Sequence, residues 1–286
     1  MVRGIAIILV AGIFVCCETI DIKGLIMPTG DVVDKRFEQS MSIPDNKAVA
    51  NIEAKESYTF YVCADPHIDN TNENLREFST RLRNSKDAMF GIVLGDCYSR
   101  ISALPTYIEA LKYVAGVQAT DTPIFTLLGN HDIYHRGWDK YSEQLGASVY
   151  WFDVQHASGR DLFIALDSAS GTLGKQQLDW LRRFLTEERE KYRHCVILTH
   201  TNLFYTDNSQ LGSSNMALEE TAALTELFSR HRVTLCLQGH DHYREDLVLG
   251  GVRYTIVGTI SDNAQRAEYL SIRLSDKGAE YSWEYI

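Results

Sequence analysis

A chain of 286 residues that is 45% hydrophobic and 23% charged is long enough for one large domain or at most two, and its composition excludes general disorder. Its 28 basic and 38 acidic side chains give a formal charge of −10, which leaves no basic footprint for a general affinity for nucleic acid. Any anionic substrate must be attracted locally, against the field of the whole molecule.

The first residues read as a targeting segment. Arg3 precedes an apolar stretch from Gly4 to Val15, and Cys16 and Cys17 follow at once. The stretch is shorter than the roughly 20 residues a membrane span needs, but it suits a secretory signal. A cysteine in that place resembles a bacterial lipoprotein signal, in which the cysteine becomes a lipidated N-terminus. Phe14 and Val15 are bulkier than the residues usual before such a cysteine, so an ordinary cleaved signal is the alternative. The expectation is an exported chain, lipid-anchored on the periplasmic side or cell surface, or else secreted or periplasmic. Losing residues 1–17 removes Arg3 alone among the charges and leaves the chain acidic.

Residues 18–57 are irregular, with turn signals at 28–30 and 44–46, and read as a tether with at most one early strand or hairpin. Regular structure is predicted from residue 58 to the end. Strands are expected at 58–63, 88–94, 123–128, 162–166, 195–198 and 233–237, from short apolar runs rich in β-branched and aromatic residues. Between them, helical spacing recurs in Leu75, Phe78 and Leu82, in Leu104, Ile108, Leu111 and Val114, in Leu178, Leu181 and Leu185, and in Leu218, Ala222, Leu224, Leu227 and Phe228. After Gly239 come hairpins, around Gly250-Gly251 and Asp276-Lys277-Gly278. Alternating strands and helices followed by hairpins argue for an α/β domain with more than one sheet. Cys63, Cys97, Cys195 and Cys236 are dispersed without a C-x-x-C pair, which argues against structural zinc and for buried inert thiols.

Five predicted strands end in a polar cluster: Asp65-Pro66-His67, Gly95-Asp96, Gly129-Asn130-His131-Asp132, Thr199-His200 and Gly239-His240-Asp241-His242. Strand carboxyl ends are where α/β sheets collect their reactive groups. Extended-chain alternation would turn Asp65 with His67, and His240 with His242, to one side. An amide oxygen can ligate a metal, and an imidazole beside it can donate a proton. Mixed nitrogen and oxygen donors without thiolate suit Mn, Fe or Zn. The donors exceed what one ion needs, whereas two ions about 3.5–4 Å apart and bridged by a carboxylate would use them.

In this order the five clusters resemble the D-x-H, G-D, G-N-H-D/E, H and G-H-x-H blocks of the calcineurin-like metallophosphoesterase superfamily. The resemblance implies a metallophosphoesterase domain over residues 58–286 with two packed mixed β-sheets flanked by helices, a four-layer α-β-β-α sandwich. It implies Asp65, His67 and His242 on one divalent ion, Asn130, His200 and His240 on a second, and Asp96 bridging both. His131 would face the substrate phosphate and assist the leaving group. The implied activity is hydrolysis of a small phosphodiester or phosphomonoester by a bridging water or hydroxide. Purple acid phosphatases carry D-x-G in the first block and a tyrosine three residues after the bridging Asp. Here those positions are His67 and Ser99, so an iron–tyrosinate site is not expected and the pattern sits nearer the cyclic-nucleotide phosphodiesterases. Thr199-His200-Thr201-Asn202 departs from the double histidine common in that branch.

The alternative is a catalytically silent metal-binding or scaffold protein on the same fold. Lost ligands would mark it, and every ligand position here is filled. A lactamase-like binuclear hydrolase would need H-x-H-x-D-H, which is absent. Asp132 reads as either a support for its neighbours or a turn residue. His135, His156, His194 and His231 match no block; Arg100 and the aromatic stretch from Tyr134 to Trp151 could contact substrate, with core or surface packing the favoured explanation.

Overall fold

The computed structural model describes residues 33–43, 52–116, 122–204 and 216–286, without the side chains of 113–116. The signal segment with Cys16 and Cys17, the turns at 28–30 and 44–46, and the side chain of Val114 lie outside the described residues. No helix among the described residues is long and apolar enough to cross a membrane.

Two mixed sheets pack face to face. The smaller contains β2 (Tyr58–Cys63), β3 (Ala88–Val93), β4 (Ile124–Thr126), β11 (Glu268–Ser275) and β12 (Gly278–Tyr285), in the order β12-β11-β2-β3-β4. The larger is built from β1 (Ile52–Glu53), β5 (Tyr150–His156), β6 (Gly159–Ala165), β7 (Cys195–Leu198), β8 (Leu235–Gln238), β9 (Glu245–Leu249) and β10 (Val252–Ile256). Its order is β1-β5-β6-β7-β8-β10-β9. β2, β3 and β4 run parallel, as do β6, β7, β8 and β10, while the hairpins β5–β6, β9–β10 and β11–β12 supply the antiparallel pairs.

The two-residue side-chain period sorts each strand between two cores. In β2, Phe60 and Val62 point into the apolar layer between the sheets, while Cys63 belongs to the layer beneath the helices Glu73–Asn84 and Leu104–Gly116. Phe90, Phe152 and Phe163 fill the inter-sheet layer, with Phe152 and Phe163 stacked at 4.8 Å. On the far side, Leu181 and Leu185 of the helix Gly174–Glu188 and Leu224 and Phe228 of the helix Leu218–Arg230 cover Ile164, Ile197 and Cys236. The result is the α-β-β-α sandwich. The four cysteines are free and buried, and burial pushes the Cys195 thiol up to about 12.

Elements beyond the sequence expectation include β5 and the helix Gly137–Gln144, both starting in the aromatic stretch, and one helix nearer the N-terminus. Within the 18–57 tether lies a ten-residue helix, Val33–Ser42, packed against the body. Its buried face is Val33, Arg36, Phe37 and Ser40, an i, i+3, i+4, i+7 stripe in which two members are polar. Hydropathy alone does not reveal such a stripe. Ile52 and Glu53 then pair with β5 as a short edge strand.

Candidate metal centre

The ends of five parallel strands converge. Asp65 and His67 follow β2, Asp96 follows β3, and Asn130 and His131 follow β4, all from the smaller sheet. His200 follows β7, and His240 and His242 follow β8, from the larger sheet. The cluster therefore straddles the top of the sandwich.

Convergence arises differently from the alternation expected of an extended chain. Asp65, His67, Asp96, His240 and His242 all adopt left-handed backbone, with φ of 52°, 43°, 50°, 77° and 60°. Each costs roughly 1 kcal/mol or more and persists only where the surroundings hold it. Here those surroundings are hydrogen bonds between neighbouring loops. Asp65 N–H donates to Gly95 O (3.3 Å), His67 N–H to Asp96 O (3.0 Å) and Gly239 N–H to His200 O (2.9 Å). Two glycines allow the approach: a Cβ on Gly95 (φ +92°) would lie 2.7 Å from His200 Nδ1, and one on Gly129 would lie 2.2 Å from Asp96 N.

All eight residues singled out in the sequence meet here. Ligand atoms of Asp65, His67 and His242 lie within 4.8 Å of one another, as do those of His67, Asp96 and His131, and of Asp96, His200 and His240. His67 Nε2 stands 3.0 Å from His242 Nε2. Asn130 Oδ1 lies 2.9 Å from both His200 Nε2 and His240 Nδ1. Asp96 turns Oδ2 toward His67 Nε2 (3.5 Å) and Oδ1 toward His200 Nε2 (3.4 Å), one oxygen for each half.

The donor chemistry fits cations. His200 Nδ1–H donates to Leu94 O at 2.8 Å, so in the neutral imidazole Nε2 carries a lone pair. Asn130 uses its amide N–H on the Tyr134 hydroxyl (3.2 Å), which leaves Oδ1 facing that lone pair at 2.9 Å. Two acceptors so placed repel unless an electron-poor centre lies between them. Ligands about 2.1 Å from one ion at right angles sit roughly 3 Å apart. Asp65 and Asp96 are 0% and 1% exposed, and among the described residues only histidines pair with them. Burial, then the charge of Asp96, pushes the Asp65 carboxyl well above the usual carboxylate range. Burial also holds His67 at about 3 and His240 at about 4, so both are neutral at pH 7, the form that ligates.

Supporting residues complete the frame. Asp132 is fully buried, and its carboxylate accepts Cys97 N–H (2.9 Å) and Gly129 N–H (2.8 Å), tying two ligand loops together. It both closes a turn and supports its neighbours. Tyr134, assigned to packing from sequence, is 42% exposed beside His131, at 5.1 Å between rings. Ser168, which carries no sequence signal, accepts His200 N–H at 3.0 Å. His194 lies elsewhere, hydrogen-bonded to Thr234 and Ser275. Arg100 pairs with Asp69 at the surface.

The profile of the calcineurin-like phosphoesterase family matches residues 58–244. The chain belongs to that family. The match takes in every strand end that contributes to the site. Among solved structures, a dimetal phosphatase from Danio rerio is similar at a TM-score of 0.60 and 15% identity, covering 79% of this chain and 98% of that one. Purple acid phosphatase PPD1 from yellow lupin seeds is similar at a TM-score of 0.60 and 14% identity, covering 81% of this chain and 52% of that one. GAP50, the anchor in the inner membrane complex of Plasmodium, is similar at a TM-score of 0.57 and 14% identity, covering 80% and 84%. At such identities these likenesses establish the fold that the family shares. No curated protein matches the chain.

Proposed function

We propose that the protein hydrolyses a small phosphoester with two divalent ions, Mn, Fe or Zn, held by Asp65, His67 and His242 on one side and Asn130, His200 and His240 on the other, with Asp96 between them. The observation that carries this reading is the division of Asp96, one oxygen facing each half of a cluster whose acceptors confront one another. When bound, the ions would neutralise the phosphoryl oxygens and lower the pKa of a water in line for attack. The chain's own part is to hold the donors, with His67 and His240 neutral and the carboxyl groups of Asp65 and Asp96 out of water. His131, its ring 4.7 Å from that of His67, would pass a proton to the departing alkoxide.

Two features support a reading nearer the cyclic-nucleotide phosphodiesterases than the purple acid phosphatases. The first block carries a histidine, and Ser99 occupies the position of the tyrosine ligand. Tyr98 is fully buried, and its hydroxyl donates to Asp132 O (3.4 Å), away from the centre. GAP50 shares the fold as an anchor, but the complete donor set here supports catalysis over a silent scaffold. An exported, lipid-anchored protein is proposed from the sequence of residues 1–17 alone.

The test compares hydrolysis of bis-p-nitrophenyl phosphate and p-nitrophenyl phosphate by the Mn-loaded and chelator-treated protein. Metal-dependent turnover of at least one is expected. No turnover of either, with two ions bound, would refute the hydrolase reading and favour the scaffold.

A further inference from the structure

The Val33–Ser42 helix lies outside the family match, yet it reaches the loop that holds His200. Arg36, 0% exposed, clamps Asp167 with both arms of its guanidinium, Nε to Oδ2 at 2.7 Å and Nη2 to Oδ1 at 3.0 Å, and also donates to Ser170 Oγ at 2.9 Å. A bidentate pair of this kind fixes orientation as well as distance. Asp167 lies two residues beyond the end of β6, and the next residue, Ser168, is fully buried. Ser168 Oγ accepts His200 N–H (3.0 Å) and Thr201 N–H (2.9 Å), while Thr201 Oγ1 donates to Ser168 O (2.7 Å). With its backbone hung on Ser168 and Nδ1 on Leu94 O, His200 has one direction left for Nε2, toward Asn130 and Asp96.

We propose that Arg36 is a positioning residue for the Asn130/His200/His240 half of the centre, acting through Asp167 and Ser168, so that a helix outside the family domain sets the affinity of one of its two ions. This rests on the two-ion reading above. Other anchors of the helix do not reach His200. Gln39 Oε1 accepts Trp138 Nε1–H (2.8 Å), and Asp34 Oδ1 accepts Gln176 N–H (3.0 Å).

The experiment is a calorimetric titration of the metal-free full chain with Mn²⁺, with melting temperature recorded for each variant. His67→Ala identifies the binding step of the other half. Ser168→Ala, which leaves the helix contacts in place, is expected to weaken the His200 step about ten- to a hundredfold and the other step less than about twofold. Arg36→Lys keeps the charge without the fork and is expected to weaken the same step by a smaller factor. Arg36→Gln/Asp167→Asn leaves no buried charge unpaired and should behave like Ser168→Ala. Gln39→Ala should lower the melting temperature and leave both steps unchanged. Unchanged binding in Ser168→Ala or in both Arg36 variants would overturn the proposal, as would equal weakening by Gln39→Ala. A parent protein that takes up no Mn²⁺ would instead remove the two-ion reading, and this proposal with it.

Discussion

His131 contributes through two separate groups. Its backbone N–H donates to Asp96 Oδ1 (2.8 Å), and its ring stands between those of His67 and Tyr134. His131→Ala keeps the first and deletes the second. Turnover is expected to fall by about 10²–10⁴ while metal content is unchanged; a variant that loses its metals would show the ring to be a ligand instead. Tyr134→Phe removes the acceptor that orients the Asn130 amide, and a loss of metal affinity of up to about tenfold is expected by chelator competition. The candidate ligands are legible in sequence because each follows a predicted strand. Tyr134 and Ser168 are not, because a tyrosine in an aromatic stretch and a serine after a strand are ordinary. Only the fold places them against Asn130 and His200.

At the scale of elements, most sheet strands and their covering helices follow from apolar periodicity; β5, which starts in the aromatic stretch, does not, nor does the Val33–Ser42 helix, because Arg36 and Ser40 occupy half of its buried stripe. Left-handed ligand residues were equally hidden, since Asp and His show no sequence mark of positive φ. The covering helices supply stability rather than chemistry. Leu181→Ala, at a fully buried position facing the larger sheet, is expected to cost about 2–5 kcal/mol in denaturant unfolding. An acid-sensitive element lies at the start of β6. Asp161, 0% exposed, accepts the Tyr58 hydroxyl (3.0 Å), Arg193 Nε–H (3.0 Å) and Nη2–H (2.6 Å) and His194 N–H (3.0 Å). Burial pushes its carboxyl up, but the Arg193 guanidinium, with His194 and the Tyr58 hydroxyl, holds it below the usual range. A depressed folded-state value contributes stability that is present above about pH 3.9, the unfolded value, and lost as pH falls through the folded one. Asp161→Asn should flatten that acid limb in pH-dependent unfolding and cost about 1–3 kcal/mol at neutral pH by weakening the hydrogen bonds of Arg193, which keeps Asp276 as a second partner. An unchanged limb would place the acid sensitivity elsewhere.

Across the whole molecule, a chain of charge −10 gathers the buried Asp65 and Asp96 at one point where two sheets meet, and among the described residues only histidines form ion pairs with them. Such a point attracts cations, and their charge would convert it into a local site for phosphate. Alternating strands and helices with terminal hairpins made an α/β domain with more than one sheet legible, and the resemblance of the five blocks supplied the sandwich. The substrate was not legible, because in the proposed reading the sequence blocks would hold metal and phosphate rather than the group that leaves. The most direct measurement is the metal content of the full chain dialysed against Mn²⁺, alongside Asp96→Asn. Two ions per parent chain and a loss in Asp96→Asn are expected, and a parent chain that retains none, or an Asp96→Asn variant that retains two just as tightly, would contradict a shared two-ion centre.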